Sequence, residues 1–389
     1  MTTHHPQQPY SAADRVQRVA PSATMAISNQ AAALEADGIN VADLSVGEPD
    51  FDTPENIKQA AREALAAGET GYTASKGIPE LRAAIAERHQ ADGIDCGPEH
   101  VLVTPGGKQA LFEVFQAFID PGDEVVLLDP AWVSYAAMAK LVGASLTRVD
   151  TTPHGFALEP ALDALASAVS DETELLVVNS PGNPHGAVYT DAALAGVRDL
   201  AREHNFTVVA DEIYDKITYE RSQTSLASMP GMSDRTVTIN GFSKAYAMTG
   251  WRLGYLIAPE PVVGQAETIH GHSVSCATNF VQHAGVEALQ NTDDTVEKMV
   301  AAFERRRDLL IEMLADHGLE VPAPAGAFYL MLPVADDDQS WCETAIEQAH
   351  VATVPGSAFG TPGYARLSYA AGADRLREAI DRLAANNLV

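Results

Sequence analysis

Four short apolar runs in the sequence are each followed directly by side chains that could do chemistry. They are HVLVT (100–104) before Gly106-Gly107-Lys108, ELLVVN (174–179) before Asn183, FTVVA (206–210) before Asp211 and Tyr214, and RTVTIN (235–240) before Ser243 and Lys244. Apolar runs of this kind, alternating with helical patterns, are typical of parallel strands that are buried on both faces. In open α/β sheets, ligands bind beyond the carboxyl ends of the strands. The sequence therefore predicts one site that collects these side chains at one edge of a sheet.

The residue types at this edge suit a phosphorylated ring that carries a carbonyl group. Gly106 and Gly107 at a helix start would let backbone N–H groups approach an anion, and Arg252 could grip the same phosphate. Asp211 could be the counter-charge of a cationic ring nitrogen, and Lys244 an amine that forms a Schiff base with the carbonyl. Singly, each feature has an ordinary alternative, namely a tight turn, a helix cap or a lysine that extends to water. Together they predict a site for pyridoxal phosphate.

Helical and strand patterns alternate from residue 54 onwards and predict an α/β fold. Strands are expected at 100–104, 123–129, 144–150, 174–179, 206–210, 235–240 and 252–258, and helices from near residues 54 and 77 and at 106–119, 133–142, 159–169 and 191–204. After about residue 280, helices are expected at 295–318, 341–350 and 373–386, and strands at 326–332, 351–355 and 364–370. The pattern predicts a large domain whose mostly parallel sheet is covered by helices (three layers, αβα), plus a smaller α/β domain formed by both chain ends.

The expected domain boundaries follow from this change of pattern. Residues 1–46 would form an amino-terminal arm and part of the small domain, residues 47–285 the large cofactor-binding domain, and residues 286–389 the small carboxyl-terminal domain. The first ten residues, MTTHHPQQPY, contain no apolar signal region and are expected to form a flexible arm.

The chain is strongly acidic, with a net charge of -28, a pI near 4.6 and seven lysines against eighteen arginines. Such a surface repels nucleic acid and anionic lipid, so small-molecule partners are expected and neither a polynucleotide nor a membrane. An acidic, lysine-poor surface stays hydrated in concentrated salt, which favours a halophilic source over an ordinary acidic enzyme. Three widely spaced cysteines favour neither a disulfide framework nor a zinc site, and no apolar run is long enough for a membrane span. A cytoplasmic enzyme without a metal is expected.

Eight longer motifs occur in the order of one known family. They are SVGEPDFDTP (45–54), GYTASKGIPELR (71–82), TPGGKQALF (104–112), NSPGNPHGAVY (179–189), DEIY (211–214), SKAYAMTGWRLGY (243–255), GAFY (326–329) and RLSYA (366–370). From about Arg15 to its carboxyl terminus, the chain resembles the class I (fold-type I) pyridoxal-phosphate-dependent aminotransferases, especially the prokaryotic aspartate aminotransferase branch. The resemblance implies transfer of the amino group of an L-amino acid, with aspartate and glutamate favoured, to a 2-oxo acid by a ping-pong mechanism.

The resemblance also implies a role for each matching residue around the cofactor. Lys244 would hold the cofactor and then shuttle a proton, while Asp211 would keep the ring nitrogen protonated. Tyr214 and Asn183 would hydrogen-bond the ring 3′-oxygen. The cofactor-binding positions are Gly106, Gly107, Lys108, Trp132, Asn183, Asp211, Tyr214, Ser243, Lys244, Arg252 and Tyr72. Tyr72 would reach the phosphate bound by the neighbouring subunit, which implies a homodimer with shared active sites.

A substrate pocket is implied in the same way. Arg366, in the alternating stretch ARLSYA, would grip the substrate α-carboxylate at two points, although a salt-bridged sheet arginine is the ordinary alternative. Gly47, Trp132 and Asn183 would complete this pocket, and Trp132 would also stack on the cofactor ring. Lys108 would accompany recognition of the distal carboxylate of the substrate, unless it only caps the phosphate region.

Two positions depart from the family pattern. The chain has Asn183-Pro184-His185-Gly186 where the family usually has Asn-Pro-Thr-Gly, and it has Ala131 where an aromatic residue commonly precedes the tryptophan. We expect a pocket that is wider or differently polar, with unchanged catalytic groups. Loop histidines are more often structural, so His185, His270 and His272 are not assigned to the site.

Other functions remain open on the sequence alone. The same scaffold serves aromatic, branched-chain and prephenate aminotransferases and carbon–sulfur lyases. A non-catalytic effector sensor fused to a DNA-binding module is disfavoured by Lys244 and by the negative charge, and an ATPase is disfavoured because no Walker motif occurs.

Overall fold

The structure, a computed structural model, describes residues 11–389, so the predicted arm at residues 1–10 lies outside the described residues. The helices are α1 (Asp14–Gln17), α2 (Ala23–Ala36), α3 (Glu55–Ala67), α4 (Pro79–Ala91), α5 (Gly107–Phe118), α6 (Val133–Val142), α7 (Leu162–Ala168), α8 (Asp191–Glu203), α9 (Glu260–Ser273), α10 (Asn279–Asn291), α11 (Asp293–Asp316), α12 (Asp338–Gln348) and α13 (Ala373–Ala385). The strands are β1 (Ala42–Asp43), β2 (Val101–Thr104), β3 (Glu124–Asp129), β4 (Ser145–Asp150), β5 (Thr173–Asn179), β6 (Thr207–Asp211), β7 (Thr236–Gly241), β8 (Gly254–Ile257), β9 (Tyr329–Pro333), β10 (Val351–Ala352), β11 (Val354–Pro355) and β12 (Tyr364–Ser368).

A seven-stranded sheet organises the larger part of the molecule. Its strand order is β2-β8-β7-β6-β5-β3-β4, and neighbouring strands are parallel except that β8 runs antiparallel to β2 and β7. The mostly parallel sheet predicted from the sequence is confirmed. The reversed strand matters for the site, because its first residue, Gly254, pairs with the last residue of β7, Gly241. Arg252, just before β8, therefore lies at the edge where the parallel strands end.

Alternate residues of the central strands face different helices, which produces the three layers. In β3, Val125 and Leu127 pack with α5, α6 and α9, whereas Val126 and Leu128 pack with α7 and α8. Burial of each such side chain stabilises the fold by roughly 1.5–3 kcal/mol. Because both faces are covered, the strands keep a fixed register, and the residues that follow them have a rigid support.

Both chain ends build a second, smaller region. Strands β11, β12 and β9 form an antiparallel sheet in that order, and β1 from the amino-terminal part pairs in parallel with β10 from the carboxyl-terminal part. Helices α2 and α13 both contact β10, and α11 packs against α13. The smaller α/β domain formed by both chain ends is thus confirmed, while its boundaries at residues 46/47 and 285/286 stay a prediction.

The structure differs from the expected elements in two ways. The strand expected at 351–355 is divided into β10 and β11, because β10 pairs with β1 and β11 pairs with β12. Helices α1, α2, α9 and α10 and strand β1 have no counterpart among the expected elements. In α9 and α10, glycines and histidines interrupt the apolar helical pattern. One of these glycines has a packing role: a Cβ at Gly285 would lie 2.6 Å from the Leu253 side chain.

Two features are absent from residues 11–389. None of the helices in that part of the chain combines the length and the apolarity that a bilayer crossing requires. The same residues contain no cluster of three or more histidine, cysteine or acidic side chains arranged to hold a metal ion.

Candidate active site

The ends of the parallel strands form one cleft, as the sequence predicts. Asn179 and Asp211, the last residues of β5 and β6, are direct partners in the sheet. A cleft of about 570 Å³ opens beside them. The predicted site residues that line it are Gly47, Gly107, Lys108, Trp132, Asn183, Asp211, Tyr214, Ser243, Lys244, Arg252 and Arg366. Residues from both chain ends and from every predicted strand end are therefore brought together.

Lys244 follows β7 and supplies an amine to the cleft. Its Nζ donates a hydrogen bond to the carbonyl oxygen of Gly47 and lies 5.7 Å from the centre of the Tyr214 ring. Burial, together with the positive charges of Arg366 and Arg252, lowers the pKa of Lys244 from 10.5 to about 8. An amine with this pKa is partly neutral at physiological pH, which a nucleophile that attacks a carbonyl carbon requires.

Asp211 places a buried carboxylate at the end of β6. One carboxyl oxygen accepts a hydrogen bond from the hydroxyl of Tyr135 (2.6 Å) and the other from the backbone N–H of Ile213 (3.3 Å). Burial raises the pKa of Asp211 from 3.8 to about 6, and the hydrogen bonds oppose this change. A cationic group brought against Asp211 would lower that pKa and keep the carboxylate charged. The position thus suits the partner of a protonated ring nitrogen.

Gly106, Gly107 and Arg252 form a corner that suits an anion. Gly106 has a φ of +88°, and a Cβ there would lie 2.5 Å from Arg252 Nη2, so the guanidinium rests directly on the backbone of the turn. Gly107 and Lys108 begin α5 and line the cleft together with Ser243. A helix amino terminus, a guanidinium and a hydroxyl are donors that proteins use for a phosphate. Gly106 itself does not line the cleft but shapes this corner from behind.

Arg366 brings a buried guanidinium from β12 to the cleft. It is 2% exposed, its Nη1 donates to Asn183 Oδ1 (3.0 Å), and its Nη2 donates to the carbonyl oxygen of Ser45. These partners are an amide and a carbonyl rather than a carboxylate, and among the described residues Arg366 Nε has no hydrogen-bond partner. Burial lowers the pKa of Arg366, yet an arginine stays charged. A buried charge held by neutral groups marks a site for an anionic ligand.

Several residues of the cleft have no assignment from the sequence. Tyr329 bonds the hydroxyl of Tyr214 through its own hydroxyl (2.9 Å), and Tyr135 bonds Asp211. Burial raises the pKa of Tyr214 well above its usual value, so its hydroxyl keeps its proton and can donate. Further lining residues are Thr24, Met25, Ser28, Ser45, Val46, Glu48, Leu111, Asn179, Ile213 and Thr249. The spacing of Tyr135, one helical turn after Trp132, was a weak indication that it faces the site. No sequence feature indicated that Thr24, Met25 and Ser28 of α2 would line the cleft.

Besides Gly106, the residues Tyr72, Ala131 and His185 also lie outside this cleft. Tyr72 is 91% exposed and does not line the cleft of its own subunit. Ala131 and His185 line a separate cavity of about 10 Å³ behind Asn183, enough for about one water molecule. The two departures from the family pattern therefore act behind the cleft wall and not on its lining.

Glu212 is the residue after Asp211. Its burial at this strand end can be tested through the pH dependence of the free energy of unfolding. It is 4% exposed, accepts a hydrogen bond from Ser225 Oγ (2.9 Å), and burial raises its pKa from 4.5 to about 8. Between these pH values the folded state keeps a proton that the unfolded state releases, so the contribution of Glu212 to stability falls as pH rises. Glu212→Gln should remove a slope of up to about 1.4 kcal/mol per pH unit from the free energy of unfolding over this interval.

The measurement is denaturant unfolding at a series of pH values. The exposed residue Glu174 provides the matched control, since Glu174→Gln makes the same chemical change at the surface. Subtracting the variant curve from the wild-type curve isolates Glu212 from other buried groups. A difference that stays flat between about pH 5 and 8 would contradict a protonated Glu212.

Comparison with known proteins assigns the chain to a class that has this fold and this kind of site. The family model described as aminotransferase class I and II matches residues 39–383, so the chain belongs to the class I and II aminotransferases. Among individual proteins, it is 44% identical to the aspartate/prephenate aminotransferase of Thermus thermophilus over 95% of this chain and 97% of that protein. It is 41% identical to the aspartate aminotransferase of Thermotoga maritima, with the same coverage.

A solved structure agrees with these relatives. The aspartate aminotransferase from Thermus thermophilus with maleate superimposes with a TM-score of 0.93 at 43% identity, covering 97% of this chain and 99% of that chain.

Proposed function

We propose that this protein is a pyridoxal-phosphate-dependent aminotransferase that transfers the amino group of aspartate or glutamate to a 2-oxo acid in a ping-pong cycle. The observation that carries the proposal is the set of three buried or half-buried groups around one cleft: the amine of Lys244, the carboxylate of Asp211 and the guanidinium of Arg366. The names of the similar proteins support aspartate as the substrate.

The residues of the cleft fit the cofactor that the family implies. The corner at Gly106 and Arg252 offers a place for a phosphate, and Asp211 accepts hydrogen bonds only from neutral donors among the described residues, which leaves its charge for a cationic ring nitrogen. When bound, pyridoxal phosphate would supply an aldehyde that condenses with amines and a ring that takes up electrons from the substrate α-carbon.

Each side chain has a separate task in this proposal. Lys244 Nζ would hold the cofactor and, once released, move a proton at the substrate α-carbon. Asp211 would hold the proton on the ring nitrogen. Arg366 would bind the α-carboxylate through its guanidinium, and Asn183, whose Oδ1 already accepts from Arg366, keeps its Nδ2 group for the ring oxygen. The Tyr214 hydroxyl would donate to the same oxygen.

The preference for acidic substrates rests on Lys108. Its Nζ lies 4.8 Å from the centre of the Trp132 ring at the exposed side of the cleft, where it can meet a second carboxylate. Because a charged hydrogen bond contributes roughly 1.5–3 kcal/mol, Lys108→Ala should lower kcat/KM for aspartate by about 10- to 100-fold. For alanine the loss should stay below about threefold, since alanine has no second carboxylate.

The measurement is steady-state kinetics with both donors. The exposed Lys140 of α6 offers a matched control, because Lys140→Ala removes a lysine without touching the cleft. Equal losses for aspartate and alanine would mean that Lys108 serves only the cofactor region.

A panel of amino donors against several 2-oxo acids tests the proposed function itself. Aspartate and glutamate should be the best donors, with 2-oxoglutarate or oxaloacetate as acceptors. Aromatic and branched-chain donors and prephenate as an acceptor complete the panel. Release of pyruvate and ammonia without any acceptor would identify a lyase instead and overturn the proposal.

We further propose a homodimer with shared active sites. Tyr72 is 91% exposed and Met25, which lines the cleft, is 60% exposed, so two large side chains are open to a second subunit. Exposed aromatic side chains of this kind are enriched at protein interfaces. In this arrangement Tyr72 would reach the phosphate corner of the partner.

A cytoplasmic location and a halophilic source complete the proposal. Three free cysteines support a reducing compartment. The chain carries 53 acidic against 25 basic residues, and salt would screen their mutual repulsion. The unfolding temperature should therefore rise by several degrees between roughly 0.1 and 2 M KCl, as measured by calorimetry. A midpoint that does not fall when salt is removed would contradict the halophilic assignment.

A further inference from the structure

His185, one of the two departures from the family motif, is built firmly into the loop between β5 and α8. Its imidazole is 6% exposed and lies two residues after Asn183 in sequence. The backbone N–H of Ala187 donates to His185 Nδ1 (3.0 Å), so the proton of the neutral ring is on Nε2. Burial lowers the pKa of His185 to about 4, which keeps the ring neutral under working conditions.

The loop backbone closes around this ring. Gly182 N–H donates to the carbonyl oxygen of Ala187 (3.1 Å), and Gly186 N–H donates to the carbonyl oxygen of Gly182 (2.8 Å). The imidazole occupies the space above Gly182: a Cβ there would lie 2.1 Å from His185 Cε1 and 2.4 Å from its Nε2. The histidine and the glycine are therefore a matched pair, and no larger residue fits at 182 while the imidazole keeps this position.

Aromatic contacts extend from His185 to the strand of the substrate arginine. The imidazole stacks between Phe156 (5.7 Å between ring centres, 14° between planes) and Tyr189 (6.2 Å, 24°). Phe156 in turn meets Tyr364 edge to face at 5.7 Å. Tyr364 is the first residue of β12, and Arg366 follows two positions later, so both side chains project from the same face of that strand.

We propose that His185 is a positioning residue for recognition of the substrate α-carboxylate. Its ring connects the loop that carries Asn183 to the strand that carries Arg366, and so holds Asn183 Oδ1 at 3.0 Å from Arg366 Nη1. The inference deepens the proposed function and rests on Arg366 as the carboxylate site.

The orientation of Arg366 explains why this position matters for binding. Its side-chain hydrogen bonds go to Asn183 and to the carbonyl oxygen of Ser45, and Nε has no partner among the described residues. A shift of Asn183 would release one arm of the guanidinium. A planar fork grips a carboxylate at two points only when both arms are held in register, so the loss should appear mainly as weaker substrate binding.

The test is a double-mutant cycle between positions 182 and 185 in the holoenzyme. The dissociation constant for maleate, a dicarboxylate that carries no amino group to transfer, is measured by calorimetry. His185→Thr and Gly182→Ala should each raise it about tenfold. In the double variant the added methyl group meets no ring, so its dissociation constant should equal that of His185→Thr within about twofold.

Further measurements separate positioning from folding. The KM for aspartate should rise more than kcat falls, and His185→Phe, which keeps the stacking but loses the acceptor for Ala187 N–H, should give an intermediate dissociation constant. His154→Thr removes an exposed histidine and serves as the control. Unfolding temperatures of all variants are recorded alongside.

The remaining outcomes would contradict either the role of His185 or the proposed function, and the measurements distinguish the two. A His185→Thr variant with a lower unfolding temperature but unchanged maleate affinity would reduce His185 to a structural role. If the increases in the maleate dissociation constant caused by the two single substitutions multiply in the double variant, the ring and Gly182 act independently. A wild-type protein that binds no maleate would remove the carboxylate site and the inference with it. A wild-type protein that binds maleate but transfers no amino group would contradict the proposed function alone.

Discussion

Substitution of Lys244 by alanine is expected to lower kcat for transamination of aspartate by at least about 10⁴-fold, because it removes both covalent attachment and proton transfer. The structure places this amine against the carbonyl oxygen of Gly47 and beside the ring of Tyr214, with its pKa lowered to about 8. The other lysine that lines the cleft, Lys108, lies over Trp132 near the start of α5. A coupled assay for the 2-oxo acid product measures the loss.

Borohydride reduction gives an independent reading of the same residue. In the wild-type holoenzyme, reduction should abolish the visible absorption band and leave the cofactor attached to Lys244, which peptide mapping identifies. Lys140→Ala, at an exposed position of α6, should behave as the wild type in both experiments. A Lys244→Ala protein that turns over aspartate at the wild-type rate would show that the amine is not part of the reaction.

Replacement of Arg366 by lysine should lower kcat/KM for aspartate by roughly 10³-fold, although the positive charge is kept. The guanidinium is held between the rings of Tyr329 (4.6 Å from its centre) and Phe359 (5.2 Å) and is bonded to Asn183. A lysine ammonium cannot fork to two carboxylate oxygens from this position, and Asn183 would lose its partner. Steady-state kinetics over a range of aspartate concentrations measure the effect.

The visible spectrum of the cofactor provides the internal control for this variant. Arg366 is assigned to the substrate, so the absorption band and the cofactor content should remain those of the wild type. Arg377→Lys, at an exposed helix position, should leave kcat/KM unchanged. A loss below about fivefold in Arg366→Lys would mean that a different group binds the α-carboxylate.

The strand ends could be read from the sequence because local patterns specify them. Apolar runs of five to seven residues predict buried strands, and glycine, asparagine and aspartate after them predict the polar edge. Asn179 and Asp211 are indeed direct partners in neighbouring strands. Helix α6 has the expected bounds, Val133–Val142, since it follows a strand and ends at Gly143 in the left-handed region.

Elements whose pattern depends on distant partners were not predictable in the same way. The segment 351–355 reads as one strand, and only its two different partners divide it. The cleft is lined in part by Thr24, Met25 and Ser28, because α2 packs beside β10 and β11 from the other chain end. No spacing along the sequence encodes such a contact.

The sequence by itself determined the α/β class and the family, and it predicted which residues would lie together at the candidate site, because residue types and local turns carry that information directly. The tertiary structure alone decided how these residues are held: Arg366 by Asn183 across 183 positions, Lys244 by Gly47 across 197, and Tyr214 by Tyr329 across 115. It also decided that His185 and Ala131 lie behind the cleft wall and not in it. The physical reason is that hydrogen bonds, burial and the resulting pKa values depend on neighbours in space, and folding brings these neighbours from all parts of the chain.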